Sequence, residues 1–346
     1  MSKTNAGKFF EDFRIGQRLV HATPRTVTEG DRALYTALYP TRFALTSSDE
    51  FARASGLARS PVEDLIGFHI VFGKTVPDIS LNAVANLGYA DGRFGQPVMP
   101  GDTLSTTSDV IGLKQNSNGR TGVVYVRSTG TNQRGEEVLS YVRWVMVNKR
   151  DTGAPAPENV VPDLAKAVAA DDLTVPSGLT FASYDKDLAG SPHLWDDYEI
   201  GEKIDHVDGV TLEEAEHMMA TRLWQNTAKV HFSTMARPDG RLIYGGHIIS
   251  LARALSFNGL ANVQWIAAIN GGSHTAPCFA GDTVHAWSEV LDKAETAEPS
   301  VGALRLRLVA VKNRDASAFP LRSDDGKYAD GVVLDFDYWA LMPRGA

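Results

Sequence analysis

The chain repeats itself. Phe10-Glu-Asp-Phe-Arg-Ile-Gly16 resembles Leu194-Trp-Asp-Asp-Tyr-Glu-Ile-Gly201, and Pro100-Gly-Asp-Thr-Leu104 resembles Ala280-Gly-Asp-Thr-Val284. Gly16 and Gly201 stand 185 residues apart, and Asp102 and Asp282 stand 180 apart. Chance supplies one Gly-Asp-Thr match easily. Two motifs in the same order at nearly equal offsets point to a duplicated domain. The fold must then be one that two similar modules can build. A length of 346 residues fits two domains.

The repeat divides the chain into an N-terminal unit, 1–150, and a C-terminal unit, 193–346. Residues 151–192 are rich in Ala, Pro, Asp and Gly and lack period-2 patterning. They read as a linker with one short helix around Asp163–Ala170. Each unit opens with an amphipathic helix. Thr211-Leu-Glu-Glu214 has a capping-box pattern, and Thr28-Glu-Gly-Asp31 plays a similar part in the first unit. A glycine-led apolar helix follows, Gly67 to about Val76 and Gly245 to about Asn258, apolar on most faces and therefore expected to be buried. Strands close each unit. Val123–Val126 and Val138–Val147 are β-branched and aromatic, with turn chemistry at Asn132-Gln-Arg-Gly135 between them. Leu304–Leu308 alternates, and Val332–Trp339 forms the last strand. Antiparallel strands after a buried helix imply an α+β unit with a sheet wrapped around a helix.

Composition narrows the function. With 43% hydrophobic residues the chain can bury a full core. A net charge of −8 argues against nucleic acid or an anionic membrane as a partner. The lone Cys278 excludes a disulfide framework, and a cytoplasmic protein is the simplest expectation. Met1 to Lys8 is polar, with no apolar run behind it, so no signal peptide is expected. No apolar stretch reaches 18 residues. No Gly-x-Gly-x-x-Gly or Walker pattern opens a helix, and the histidines are not at metal-ligand spacing.

The central helix followed by Tyr89-Ala-Asp-Gly-Arg-Phe-Gly-Gln-Pro-Val-Met-Pro-Gly-Asp-Thr103 resembles the MaoC-like branch of the hot-dog fold, and two copies in one chain resemble its double hot-dog hydratases. The resemblance implies two tandem hot-dog domains forming a pseudo-dimer. It also implies a hydro-lyase that adds water reversibly to an enoyl-CoA bearing a free carboxylate, with mesaconyl-CoA giving β-methylmalyl-CoA as the expected case. An R-specific hydratase of other acyl chains, a hot-dog acyl-CoA thioesterase and a non-catalytic acyl-CoA-binding protein are the alternatives. No metal or cofactor is expected, since CoA is part of the substrate, and a homo-oligomer is.

The family motif is an Asp, four residues, then a His. In the first unit Thr41 and Thr46 fall on these places, and neither is a base near neutral pH. In the second, Asn226 falls on the Asp and His231 on the His. The second unit is therefore expected to carry the chemistry. His231 would act as base and acid. Asn226 would hold the water or hydroxyl. The amides at Gly245 and Gly246 would stabilise the enolate oxygen. One reason for Asn in place of Asp is the substrate's own carboxylate, which an ionised Asp would repel. That carboxylate demands a cation, and Arg222, Lys229 and Arg237 lie nearby in sequence. His247 and His274 are further possible substrate contacts. Asp102 and Asp282 read as turn residues, and Cys278 has no activating partner in sequence.

Overall fold

The computed structural model describes residues 3–345. Met1 and Ser2, at the start of the polar N-terminal segment, and Ala346 lie outside the described residues. Ten antiparallel strands form one sheet. The first half supplies β1 (Arg18–Thr26), β2 (Ala83–Phe94), β3 (Thr103–Gln115), β4 (Thr121–Thr131) and β5 (Glu137–Asn148). The second supplies β6 (Lys203–Thr211), β7 (Trp265–His274), β8 (Thr283–Glu295), β9 (Val301–Lys312) and β10 (Val332–Pro343). The order β1-β3-β4-β5-β2-β7-β10-β9-β8-β6 reads the same for both halves when counted outward from the β2–β7 seam. At that seam Tyr89 pairs with Gly272 and Gly92 with Ile269. Adding 180 to one member of each pair gives a member of the other, so a pseudo-dyad runs through the seam.

The offsets locate where the halves diverged. It is 185 from β1 to β6, 180 from β3 to β8 and from β4 to β9, and 195 from β5 to β10. The last jump is a long connection, residues 313–331, where the first half has a short turn. Phe319, Leu321 and Tyr328 of this loop pack on Trp287 and Val309, and the Trp287 indole donates to the Pro320 carbonyl at 3.1 Å.

The helices that frame the core and the site are α1 (Glu29–Leu38), α2 (Asp64–Thr75), α3 (Glu214–Leu223), the single turn α4 (Lys229–Phe232) and α5 (Gly245–Leu255). Every residue of α2 is buried, as is all of α5 after Gly245. Both lie inside one hydrophobic core that spans the two halves, Phe68 and Val71 contributing from α2, Ile249 and Leu251 from α5, Tyr141 and Phe336 from the sheet. This is the sheet-around-helix arrangement that the patterning implies.

Local expectations meet tertiary competition at four places. Thr28 caps α1, with its hydroxyl accepting from the Asp31 amide and the Asp31 carboxylate accepting from the Thr28 amide. The matching capping box at Thr211 does not form: Thr211 is the last residue of β6, its hydroxyl bonds to Thr283, and α3 starts only at Glu214. The first central helix begins three residues before Gly67, at Asp64, whose carboxylate accepts from the Ile266 amide of β7 at 2.7 Å. The second stops short of Asn258, because Asn258 and Gly259 leave helical geometry, the latter at φ 98°.

The linker has no α-helix over 163–170; its helical turns are a 3-10 turn at Ala170–Asp172 and one α-turn at Lys186–Ala189. It runs as a strap across the outer face of the sheet. Val160 bridges to Leu113 of β3, Val168 donates its amide to Asn270 of β7, and the Trp339 indole donates to the Val168 carbonyl at 3.0 Å. Val168, Leu179 and Phe181 are buried there against Trp265 and Leu341. Burial of these apolar side chains holds the strap extended, which overrides its weak helical preference.

Candidate active site

Asn226 and His231 belong to a short segment between α3 and α5. The Asn226 carboxamide oxygen accepts from the Ala228 amide at 3.1 Å, an Asx turn that starts α4. That bond fixes the amide's orientation, since the backbone N–H needs an acceptor. Among the described residues the Nδ2 group has no hydrogen-bond partner, and Asn226 stands at the wall of a cavity. One turn later, His231 Nδ1 donates to the Leu242 carbonyl at 2.7 Å. A carbonyl cannot donate, so the proton sits on Nδ1 and the Nε2 lone pair is free. Burial pushes the His231 pKa below its ordinary value, and the Leu242 bond only partly offsets this. The ring is neutral at pH 7.

Both residues line a cavity of about 290 Å³ between the halves. Gly245, the first residue of α5, lines it too, and nothing else in the described residues accepts from its amide. Unpaired amides at a helix start carry the positive end of the dipole. A Cβ on Gly245 would lie 2.5 Å from His274 Nε2 and 2.7 Å from Nδ1. Gly245 is thus a close-approach glycine, with an imidazole against its Cα. Gly246 does not line the cavity; its Cα packs against the Tyr244 ring, where a Cβ would lie 2.5 Å from the ring carbons.

His274 lines the cavity. Its Nε2 is 3.3 Å from the Tyr89 hydroxyl, and burial, with a smaller contribution from His231, depresses its pKa to about 4. His247, on α5 itself, does not line the cavity: it is buried with Nδ1 2.9 Å from the Tyr39 hydroxyl, and burial holds it near 4. Of the proposed cations, Arg222 and Lys229 are exposed and Arg237 lies over the Phe279 ring. None of the three lines the cavity.

Three residues that sequence reasoning missed complete the place. His217 of α3 accepts the Tyr244 amide on Nε2 at 2.9 Å and so fixes the entry to α5; its ring lies 6.0 Å from that of His231. Tyr89 of β2 and Arg143 of β5 come from the first half, so the cavity needs both halves. Arg143 was detectable. Leu139, Tyr141, Val145 and Val147 alternate as inward residues of β5, and period two puts Arg143 on the same face.

The equivalent place in the first half is closed. The hydroxyls of Thr41 and Thr46 both bond to the Glu63 carboxylate, and only about 10 Å³ of space remains beside it. Asp102 and Asp282 are turn residues, each accepting a backbone amide three residues upstream, Met99 and Phe279, at 2.9 Å. Cys278 also lines the cavity, but burial pushes its thiol up to about 12, so it is not a nucleophile at neutral pH. Among the described residues no group of three or more His, Cys, Asp or Glu is placed to hold a metal ion, and no helix is long and apolar enough to cross a membrane.

Known proteins resemble this chain over its whole length. A protein of Chloroflexus aurantiacus described as a MaoC domain protein superposes with a TM-score of 0.98 at 65% identity, all of each chain being covered. A Mycobacterium tuberculosis protein with a double hot-dog fold superposes at 0.74 and 24% identity over 98% of this chain and 99% of its own, which supports the fold alone. The mesaconyl-CoA hydratase of Cereibacter sphaeroides is 71% identical over 99% of this chain and 100% of its own, and the β-methylmalyl-CoA dehydratase of Chloroflexus aurantiacus is 66% identical over 99% of each. The mesaconyl-CoA hydratase profile matches residues 1–323. With the double hot-dog fold and a shared cavity already in view, that match settles the lineage: the chain belongs to the mesaconyl-CoA hydratase family.

Proposed function

We propose that this chain is a hydro-lyase that adds water reversibly to mesaconyl-CoA, forming β-methylmalyl-CoA, and that His231 performs both proton transfers. The observation that carries this reading is the fixed tautomer of His231, whose free Nε2 lone pair shares a cavity with the unpaired amide of Gly245. Identity of 66–71% to two relatives named for this substrate or its hydrated product supports the choice of acyl group.

The steps balance without another reagent. Neutral His231 takes a proton from water on Nε2 as the oxygen bonds to the β-carbon. The electron pair of the C=C bond moves toward the thioester, and the oxygen that gains charge is held by the Gly245 amide at the positive end of α5. The protonated imidazole then returns its proton to the α-carbon, restoring the thioester. Asn226 Nδ2 donates to the attacking oxygen but takes no proton. Because one group removes and returns the proton, both new bonds form on the same face. In the reverse direction the same groups expel water.

The test is a purified-protein assay of mesaconyl-CoA hydration, followed by loss of enoyl absorbance and by a thiol dye. Parent protein is expected to hydrate the substrate and release no thiol, and His231→Asn to lose about 10³-fold in kcat, in the range for a lost general acid–base. The basic form is the active one, so kcat/KM should fall on acidification through a pKa below 6.5. Release of free CoA thiol, or full activity in His231→Asn, would overturn the reading.

A further inference from the structure

Arg143 is buried to 0% exposure with no carboxylate paired to it among the described residues. Its guanidinium lies over the Phe72 ring at 4.4 Å, and Nη2 donates to the Thr75 hydroxyl at 2.7 Å. Nη1 is 3.5 Å from Asn86, and Nε has no partner. The ionisable groups nearest it are the tyrosines Tyr141, Tyr89 and Tyr244, all neutral at pH 7 because burial raises their pKa values. A guanidinium carries five N–H donors, and most of them here are unspent. The group lines the same cavity as His231. A buried cation without a counter-charge is unfavourable unless an anion arrives to pair with it.

The closed half shows what is missing. The pseudo-dyad maps Arg143, paired with Tyr89, onto Tyr338, paired with Ile269. Around the closed place the acid comes from the chain itself: Glu63 bonds Thr41 and Thr46. The open place has the cation and no acid. Its position suits a short dicarboxylic acyl chain. Arg143 is the cross-strand neighbour of Tyr89, Tyr89 contacts His274, and His274 packs on Gly245, where the thioester oxygen is held.

The geometry points to Arg143 as the residue that binds the free carboxylate of the acyl group, so that the half without proton chemistry determines substrate specificity. This inference rests on the hydratase reading above and adds the group that selects the substrate. A guanidinium fork offers two parallel N–H donors to a carboxylate, a geometry that an ammonium cannot supply.

The experiment compares mesaconyl-CoA with 2-methylbut-2-enoyl-CoA, which carries a methyl group in place of the carboxylate, in parent protein and in the Arg143→Met and Arg143→Lys variants. Arg143→Met is expected to lower kcat/KM for mesaconyl-CoA by at least 10²-fold, and to leave or raise it for the neutral analogue. Arg143→Lys should recover part of the preference. The thermal midpoint of Arg143→Met without ligand should hold or rise, since an unpaired buried charge has gone. Equal losses on both substrates would overturn the assignment of Arg143 while leaving the hydratase reading intact. A parent protein that hydrates neither substrate would overturn the hydratase reading itself.

Discussion

Acid should unfold this protein through its histidines. His69, His206, His217 and His247 are each at most 1% exposed. Burial in apolar surroundings holds their pKa values to about 3, 4, 3 and 4 against an ordinary 6.5. Between pH 7 and 5 all four stay neutral in the folded protein, while in the unfolded chain they become charged. The unfolded state therefore binds more protons. Their contribution is complete above about pH 6.5 and is lost as the pH falls toward 4. Each histidine costs about 1.9 kcal/mol between pH 7 and pH 5, and four cost about 7.6 kcal/mol. Asp64 works the other way. Burial raises its carboxyl pKa, so the folded state keeps a proton that the unfolded carboxylate releases. One proton over two pH units returns at most about 2.7 kcal/mol. The net loss of about 5 kcal/mol is a large part of the 5–15 kcal/mol typical of a folded domain. Urea midpoints by circular dichroism at pH 7, 6 and 5 measure it. His206→Gln removes a ring that does not line the cavity and is bonded to the Asn258 carbonyl and the Ser288 hydroxyl. It should remove about 1.9 kcal/mol from the loss between pH 7 and pH 5, about 1 kcal/mol per pH unit. A loss below about 2 kcal/mol over the interval, or an unchanged slope in His206→Gln, would refute the argument.

Two further substitutions test the cavity. Gly245→Ala places a methyl group 2.5 Å from His274 Nε2, so the ring must retreat by roughly 1 Å and disturb Tyr89; a displacement of that size costs about 10²-fold in kcat/KM. Alanine's better helix propensity returns up to about 1 kcal/mol, so the urea midpoint should move little, and an activity loss below threefold would contradict the geometry. Asn226→Asp turns the cavity-facing donor into an anion. At 4 Å and an effective dielectric of 20 it would repel a substrate carboxylate by roughly 4 kcal/mol, so the preference for mesaconyl-CoA over the neutral analogue should fall by up to about 10³-fold. An unchanged ratio of kcat/KM values would remove electrostatic repulsion as the reason for the amide.

The fold was legible because its signals were redundant. Two motifs recurred in order, and strands such as Leu304–Leu308 kept a strict period that no competing element shares. Boundaries were less legible wherever a second element competed for the same residue. Thr211 could cap a helix or extend a strand, and pairing with β8 decided it. The linker's path depended on apolar residues finding the outer face of a sheet assembled from the distant strands β7, β9 and β10. Asn226, His231 and Gly245 could be placed on the cavity because they are close in sequence and carry a motif spacing. Arg143 and Tyr89 escaped notice because they reach it only across the β2–β7 seam. Arg222, Lys229 and Arg237 are the cations that chain proximity favours, and the fold leaves all three away from the cavity.

Glu63 has a consequence for stoichiometry. Its carboxylate accepts from both Thr41 and Thr46, and only about 10 Å³ of space remains beside it. On the reading proposed above, that half is closed sterically as well as chemically. Placing an acid at Thr41 and an imidazole at Thr46 would not by itself open the space, so an acyl-CoA titration is expected to saturate at one equivalent per polypeptide.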